Sequence, residues 1–519
     1  MLLPQSALRL STAAFFRCVG LSRSRYALLF YYDHWHTLMT HESTNRPRAS
    51  IVNRPRAFID ILDDDSLLII FYHCRPPVLL VGGDGDGIDL FGGRWECKHW
   101  WCELTWVCRK WRRLMHTSPS YLGISLLCRP GTPVSRMLAS VPLIIDHVPP
   151  DDHIPAAGGE GIIFALKHRN RVRRIRLQVF VPSMTRLIEA LDEEFPLLEY
   201  LYIKPPMSLS NELSLPVAFG APHLRHLVLF NFTFPIGSSF LAGLVALSLR
   251  DFIPPANFGP NTLLQQLSLM PHLETFVITF HPCLPSQNVT GGLWQIPLST
   301  QYTLPNLRWL GFGGPSALME AVLPRITMPL LKVTEIIPVG VDILDLTSFI
   351  LFILQSVWED KKPRPCNVEL AFDFLGTTVV MHPHQPTGMT TLRFQTSRLY
   401  YDRIVDATAQ VIEKIQTVLT EVGVLTLKDN DSRESFAVHS QWRELLRPFN
   451  QVRTLHVSGY GLIEGLCHSL RQHDRESGIE LLPMLSVLSC PKGTHIGESC
   501  RSFLAARQIV GFPVTISYH

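Results

Sequence analysis

The chain has 519 residues, 46% of them hydrophobic, with a formal net charge of +3 at neutral pH. So mild a charge gives no argument for nucleic-acid binding, and no run of about 18 uncharged apolar residues is available to cross a membrane. Eleven cysteines, odd in number and scattered, do not form a disulfide framework and point to a reducing compartment.

The first 32 residues hold Arg9, Arg17, Arg23 and Arg25 and no acid before Asp33, which is the composition of a mitochondrial transit peptide. The cysteines favour the cytoplasm and/or nucleus, so two compartments stay open. Residues 1–54 read as a poorly ordered extension, with a polar, proline-interrupted linker at 43–57. Residues 55–120 read as a helical module. In IDILDDDSLLIIF (59–71) an acidic start precedes Leu67, Leu68, Ile70 and Phe71, as in a short helix with acids at its positive end. In WCELTWVCRKWRRLM (101–115), Leu104, Val107, Cys108, Trp111 and Leu114 recur at three and four, which predicts one amphipathic helix. A Gly/Asp-rich loop (75–100) joins the two, and 121–164 reads as a connecting segment.

From 165 to 515 one phrase returns: FPLLEYLYI, APHLRHLVL, LAGLVALSL, MPHLETFVI and LPNLRWLGF. Its apolar order is L-x-x-L-x-L, and the last two apolar residues, two apart, share one face of a strand. The first apolar positions are Val172, Leu198, Leu224, Leu244, Leu273, Leu307 and Leu331, from 20 to 34 residues apart, room for a strand, a helix and two turns. Leu187, Leu191 and Phe195 mark the first returning helix. The copy at 329–336 has Thr334 at an apolar position. Val341 to Trp358 reads as a helix-like run, a mixed strand region follows, and Ile404 to Leu419 is a strong helix. The phrase then resumes at Val422, Val452 and Leu485. One unit cannot bury its apolar face alone, so stacked units form a continuous core and a parallel sheet with an outer face left for a partner. An ordinary leucine-rich α/β domain is the alternative, because doubly buried parallel strands also read as apolar runs.

Other clusters carry little chemistry. The run 82–87 (GGDGDG) lacks the frame of a phosphate loop, and an EF-hand starting at Asp84 would meet Ile88 and Trp95 at ligand positions. Cys97, His99, Cys102 and Cys108 lack paired zinc spacing. Arg169, Arg171, Arg173, Arg174 and Arg176 interleave with Val172, Ile175 and Leu177 and decorate a strand. No nucleophile groups with a base, so the expectation is a non-enzymatic chain without metal or cofactor.

The order of Leu62, Asp65, Leu67, Ile70 and Phe71, then Leu104, Val107, Cys108, Trp111 and Leu114, resembles an F-box, the helical module that docks adaptor proteins on the Skp subunit of cullin ubiquitin ligases. Asp63 replaces the family's usual proline, and the loop is longer than usual. With SPSYLGISLLCRPGTPV and the repeated phrase, residues 55–515 are similar to fungal, basidiomycete-type F-box proteins with degenerate leucine-rich repeats. The phrase itself has the spacing of leucine-rich repeats. The resemblance implies an α/β architecture, a small F-box-like module followed by an irregular solenoid. It also implies a substrate-recognition subunit whose partners are the Skp adaptor, the cullin core and an unknown protein target, with neither nucleic acid nor membrane. Leu62, Leu67, Ile70, Phe71, Leu104, Val107, Cys108, Trp111 and Leu114 are the adaptor-binding candidates. On the exposed strand face, Tyr200, Tyr202, Arg225, His226, Arg308 and Trp309 are the target-binding candidates. The alternative function is a repeat scaffold unconnected to ubiquitin, with the two helices capping the first repeat.

Overall fold

The computed structural model describes residues 62–74, 100–122, 125–128, 141–147, 159–178, 181–205, 213–233, 237–253, 259–281, 301–314, 316–338, 365–373, 376–383, 389–395, 401–429, 439–459, 462–471, 481–494 and 496–518. They divide between two compact units, Met1–Leu126 with Met137–Pro142, and Leu127–Arg136 with Leu143–His519. The expected N-terminal extension, the 82–87 run and the 341–358 helix lie outside the described residues.

Four short helices make up the described part of the smaller unit: α1 (Asp64–Cys74), α2 (Trp100–Val107), α3 (Arg109–Thr117) and α4 (Pro119–Leu122). Asp63 caps α1, its carboxylate accepting the Ser66 N–H at 2.6 Å, while Asp64 and Asp65 occupy the first turn. The single helix expected over 101–115 is broken. Cys108 takes an extended conformation (φ −157°, ψ 170°) and caps α3, its Sγ accepting the Trp111 N–H at 3.4 Å. Arg112 Nε donates to the Thr105 carbonyl at 3.0 Å, satisfying an acceptor that the break leaves at the end of α2.

The larger unit is mixed α/β around one sixteen-stranded, open sheet. Its strands are β1 (Leu126–Cys128), β2 (Leu143–His147), β3 (Val172–Gln178), β4 (Tyr200–Lys204), β5 (His226–Phe230), β6 (Ala246–Phe252), β7 (Thr275–Phe280), β8 (Trp309–Gly314) and β9 (Val333–Pro338). There follow β10 (Pro365–Asp373), β11 (Gly376–Pro383), β12 (Met389–Gln395), β13 (Val424–Asp429), β14 (Thr454–Ser458), β15 (Val487–Cys490) and β16 (Thr515–Tyr518). The order across the sheet is that of the chain except that β12, β11 and β10 follow β9. There β10–β11 and β11–β12 pair antiparallel, while β9–β12 and β10–β13 pair parallel. Three hairpin-linked strands reverse direction twice, so the meander restores the parallel sense on both flanks.

The phrase is read by burial. Leu331 of the 329–336 copy is only half-buried, but in most copies all three apolar positions are closed, as at Leu198, Leu201 and Ile203, at Leu224, Leu227 and Leu229, and at Leu244, Leu247 and Leu249. The same holds for Leu485, Leu488 and Cys490 near the end of the chain. A turn precedes the first leucine each time, with N–H to carbonyl bonds from Leu198 to Phe195, Leu224 to Ala221, Leu273 to Met270 and Leu307 to Leu304. The next residue donates to the preceding unit: Glu199 to Arg173, Arg225 to Glu199, Val245 to Arg225, Glu274 to Val245 and Arg308 to Glu274. Register is therefore set by backbone before the strand begins. Thr334 keeps the register, buried beside Leu310.

Two expectations are corrected. The sheet does not start at 165, since β2 and the helix α5 (Gly159–Leu166) lie within the supposed connector and β2 pairs parallel with β3; their short apolar runs carry no phrase. Nor does every return hold an α-helix. α6 (Val181–Glu189), α7 (Pro260–Ser268) and α8 (Ser316–Val322) fill three returns, but Ser239–Gly243 before β6 is one 3-10 turn, because that 20-residue spacing is too short for more. The first return's helix also ends at Glu189, leaving Leu191 and Phe195 buried in the turns beyond it. Later returns use α9 (Tyr401–Lys414), α10 (His439–Leu446), α11 (Leu462–Arg471) and α12 (Glu498–Ile509). Among the described residues no helix is long and apolar enough to cross a membrane.

Candidate functional site

Among its described residues the helical unit closes a small apolar cluster. Phe71 of α1 meets Trp111 of α3 edge to face, ring centroids 4.7 Å apart, with Leu67, Leu104, Leu114, Met115 and Leu122 closed around them. Lys110 ties α3 to the start of α1, its Nζ donating to the Leu62 carbonyl at 2.7 Å and lying 3.3 Å from Asp64. Arg113 reaches the other Asp64 oxygen at 3.4 Å. Such exposed pairs contribute about 0–1 kcal/mol each, so rings and leucines hold the unit.

This placement corrects the candidate docking set. Leu67, Phe71, Leu104, Trp111 and Leu114 are buried, Phe71 and Trp111 against each other, because spacing defines a face without saying which neighbour it meets. Leu62, Ile70 and Cys108 are half-buried, and Val107 is 40% exposed. Among the described residues of this unit the exposed large apolar side chains are Ile69 (50%) and Tyr72 on α1, and Trp106 (58%) and Val107 on α2. Ile69, Tyr72 and Trp106 escaped the sequence pattern because they lie off the predicted stripe.

On the sheet, the residues that alternate with the buried positions share the other face. The register aligns Arg174, Tyr200, His226, Ala246, Thr275 and Trp309 in one row, and Arg176, Tyr202, Val228, Ser248, Val277 and Gly311 in the next. Tyr200, Tyr202, His226 and Trp309 thus lie on one face as expected, but the two tyrosines are not exposed. Tyr202 packs 5.5 Å from Phe230 and Tyr200 6.3 Å from His226, which leaves them 4% and 6% accessible. Aromatic rings on adjacent strands, about 4.8 Å apart, shield one another. His226 and Trp309 are half-buried, and burial holds the His226 imidazole below its ordinary range, with Arg174 nearby acting in the same direction. Arg225 and Arg308 are exposed and belong to the flanking row, where Arg173 pairs with Glu199 at 2.8 Å and Arg308 approaches Glu274 at 3.9 Å.

Three thiols that the sequence reading did not group, Cys467, Cys490 and Cys500, are fully buried. A hydrogen bond with Cys500 and burial both push the Cys467 thiol upward, and burial pushes Cys490 up to about 11. Cys467 and Cys490, held protonated in this way, are poor nucleophiles and poor ligands, whereas the hydrogen bond from Cys467 pulls the Cys500 thiol down. Cys97 and His99 lie outside the described residues.

Against known proteins, no family model matches the chain and no curated protein does.

Proposed function

We propose that the chain is a non-catalytic substrate-recognition subunit of a Skp–cullin–F-box ubiquitin ligase. In this reading the small helical unit is an F-box-like module, and the sheet with its returning helices is a degenerate leucine-rich-repeat solenoid that receives a protein target. The observation that carries it is the exposure of Ile69, Tyr72, Trp106 and Val107 on two helices of a small unit. Large apolar groups left in water on short helices favour a partner's apolar groove. The adaptor contacts are accordingly assigned to these four side chains, with half-buried Leu62 and Ile70 beside them in sequence.

A second reading, a repeat scaffold with no link to ubiquitin, is favoured by the burial of Leu67, Phe71, Leu104, Trp111 and Leu114. Titration calorimetry of the full chain with purified Skp adaptor separates the two. Sub-micromolar binding is expected, weakened about tenfold or more by Trp106→Asp with Val107→Asp, since truncating or charging a buried interface aromatic costs about 2 kcal/mol or more. Both positions are exposed, so the variant keeps its fold. Absence of binding by folded protein establishes the scaffold reading.

A further inference from the structure

The helices α11 and α12, which follow β14 and β15, come together at two levels about one turn apart. At the first, Glu464 of α11 packs its carboxylate against Gly497, the N-cap of α12, so closely that a Cβ at 497 would collide with both its oxygens. Three residues further along each stretch, Cys467 shares a hydrogen bond with Cys500. Residues three apart lie on one helix face, so the bare Gly497 lets the helices close and sets one thiol against the other. Both side chains are fully closed, and neither is in a disulfide.

The two thiols are unequal. Cys500 occupies the first turn of α12, whose positive end favours a thiolate. The hydrogen bond from Cys467 pulls the Cys500 thiol down, against burial and the nearby Glu464, while the same bond and burial push Cys467 up. Cys500 is thus the attacking sulfur. Its oxidation removes the largest influence that holds Cys467 protonated, which frees Cys467 to resolve the product. Entry for a small oxidant comes from the end of the sheet. There β16 bonds to β15 alone, with Thr515, Ser517 and Tyr518 exposed, and an edge with few buried contacts opens locally at lower cost than the middle.

We propose that Cys467 and Cys500 are a redox pair, which hydrogen peroxide converts to a reversible disulfide that ties α11 to α12. The Cys500 sulfur attacks one peroxide oxygen, the O–O bond breaks, and the departing hydroxide takes the thiol proton and leaves as water. The Cys467 sulfur then displaces hydroxide from the Cys500 sulfenic acid, and its own proton completes the second water. Two thiols are oxidised by two electrons, and one peroxide is reduced. The device is independent of what the sheet binds. Peptide mapping of the full chain tests it: the protein is treated with hydrogen peroxide, quenched in acid, alkylated without reductant and digested. The expected product is one Cys467–Cys500 cross-link that dithiothreitol cleaves. Both thiols should disappear about tenfold faster than Cys128, a closed thiol on β1 that burial raises to about 11. Oxidised protein should show a higher urea midpoint and slower hydrogen exchange in α12 and β16. Cys467→Ser should instead drive Cys500 to its sulfinic acid, and Cys128→Ser should change nothing. The wild-type map depends on no variant's folding. Pairing of either thiol with Cys490 or any other cysteine, sulfinic acid at Cys500 beside reduced Cys467 in the wild type, or loss no faster than that of Cys128 overturns the proposal.

Discussion

His147 is a buried histidine whose Nδ1 has no partner. Burial holds its imidazole below the ordinary range, although Asp146 beside it pulls the other way. The folded chain therefore binds fewer protons here than the unfolded chain. Stability is complete above the unfolded imidazole value of about 6.5 and is lost as pH falls through that value toward the depressed folded one. His116 and His226 shift in the same direction, also chiefly by burial. The urea midpoint should accordingly fall between about pH 7.5 and 5.5, and His147→Leu should remove part of the fall while stabilising the neutral-pH protein by about 1 kcal/mol. An unchanged pH profile in that variant would assign the loss to other groups. No sequence pattern marks His147, because its effect comes from the closed strand β2 that surrounds it.

At the scale of elements, the L-x-x-L-x-L spacing was legible because strand alternation converts it directly into burial, from Leu198 through Cys490. The break at Cys108 was not legible. Periodicity runs straight through it, and only the backbone angles turn Cys108 from a face residue into a cap. The end of β14 shows the same dependence on backbone. Gly459 has φ +141°, and a Cβ there would lie 2.7 Å from the Asp429 Cβ at the end of β13. Gly459→Ala should cost about 1–3 kcal/mol, read as a lower denaturant midpoint with unchanged slope; a neutral result would mean that β14 can re-aim at no cost.

Across the whole sheet, each strand bonds only to its immediate neighbours, so damage should spread locally. Leu455 of β14 is fully buried and in register with Leu425 and Leu488. Leu455→Ala should cost about 2–5 kcal/mol. Hydrogen exchange should quicken in β13 to β15 and stay unchanged in β3 to β5. Quickening along the entire sheet would reveal one cooperative block.

Residue spacing alone was enough for the α/β class, the parallel stacking and the identity of the buried face, since spacings of two and three along one chain specify a strand and its turn. Three features came only from folding: the meander of β10 to β12, the burial of Phe71 and Trp111 against each other, and the shielding of Tyr200 and Tyr202 by rings on adjacent strands. Each depends on which residues distant in sequence meet, and periodicity names a face without naming its neighbour.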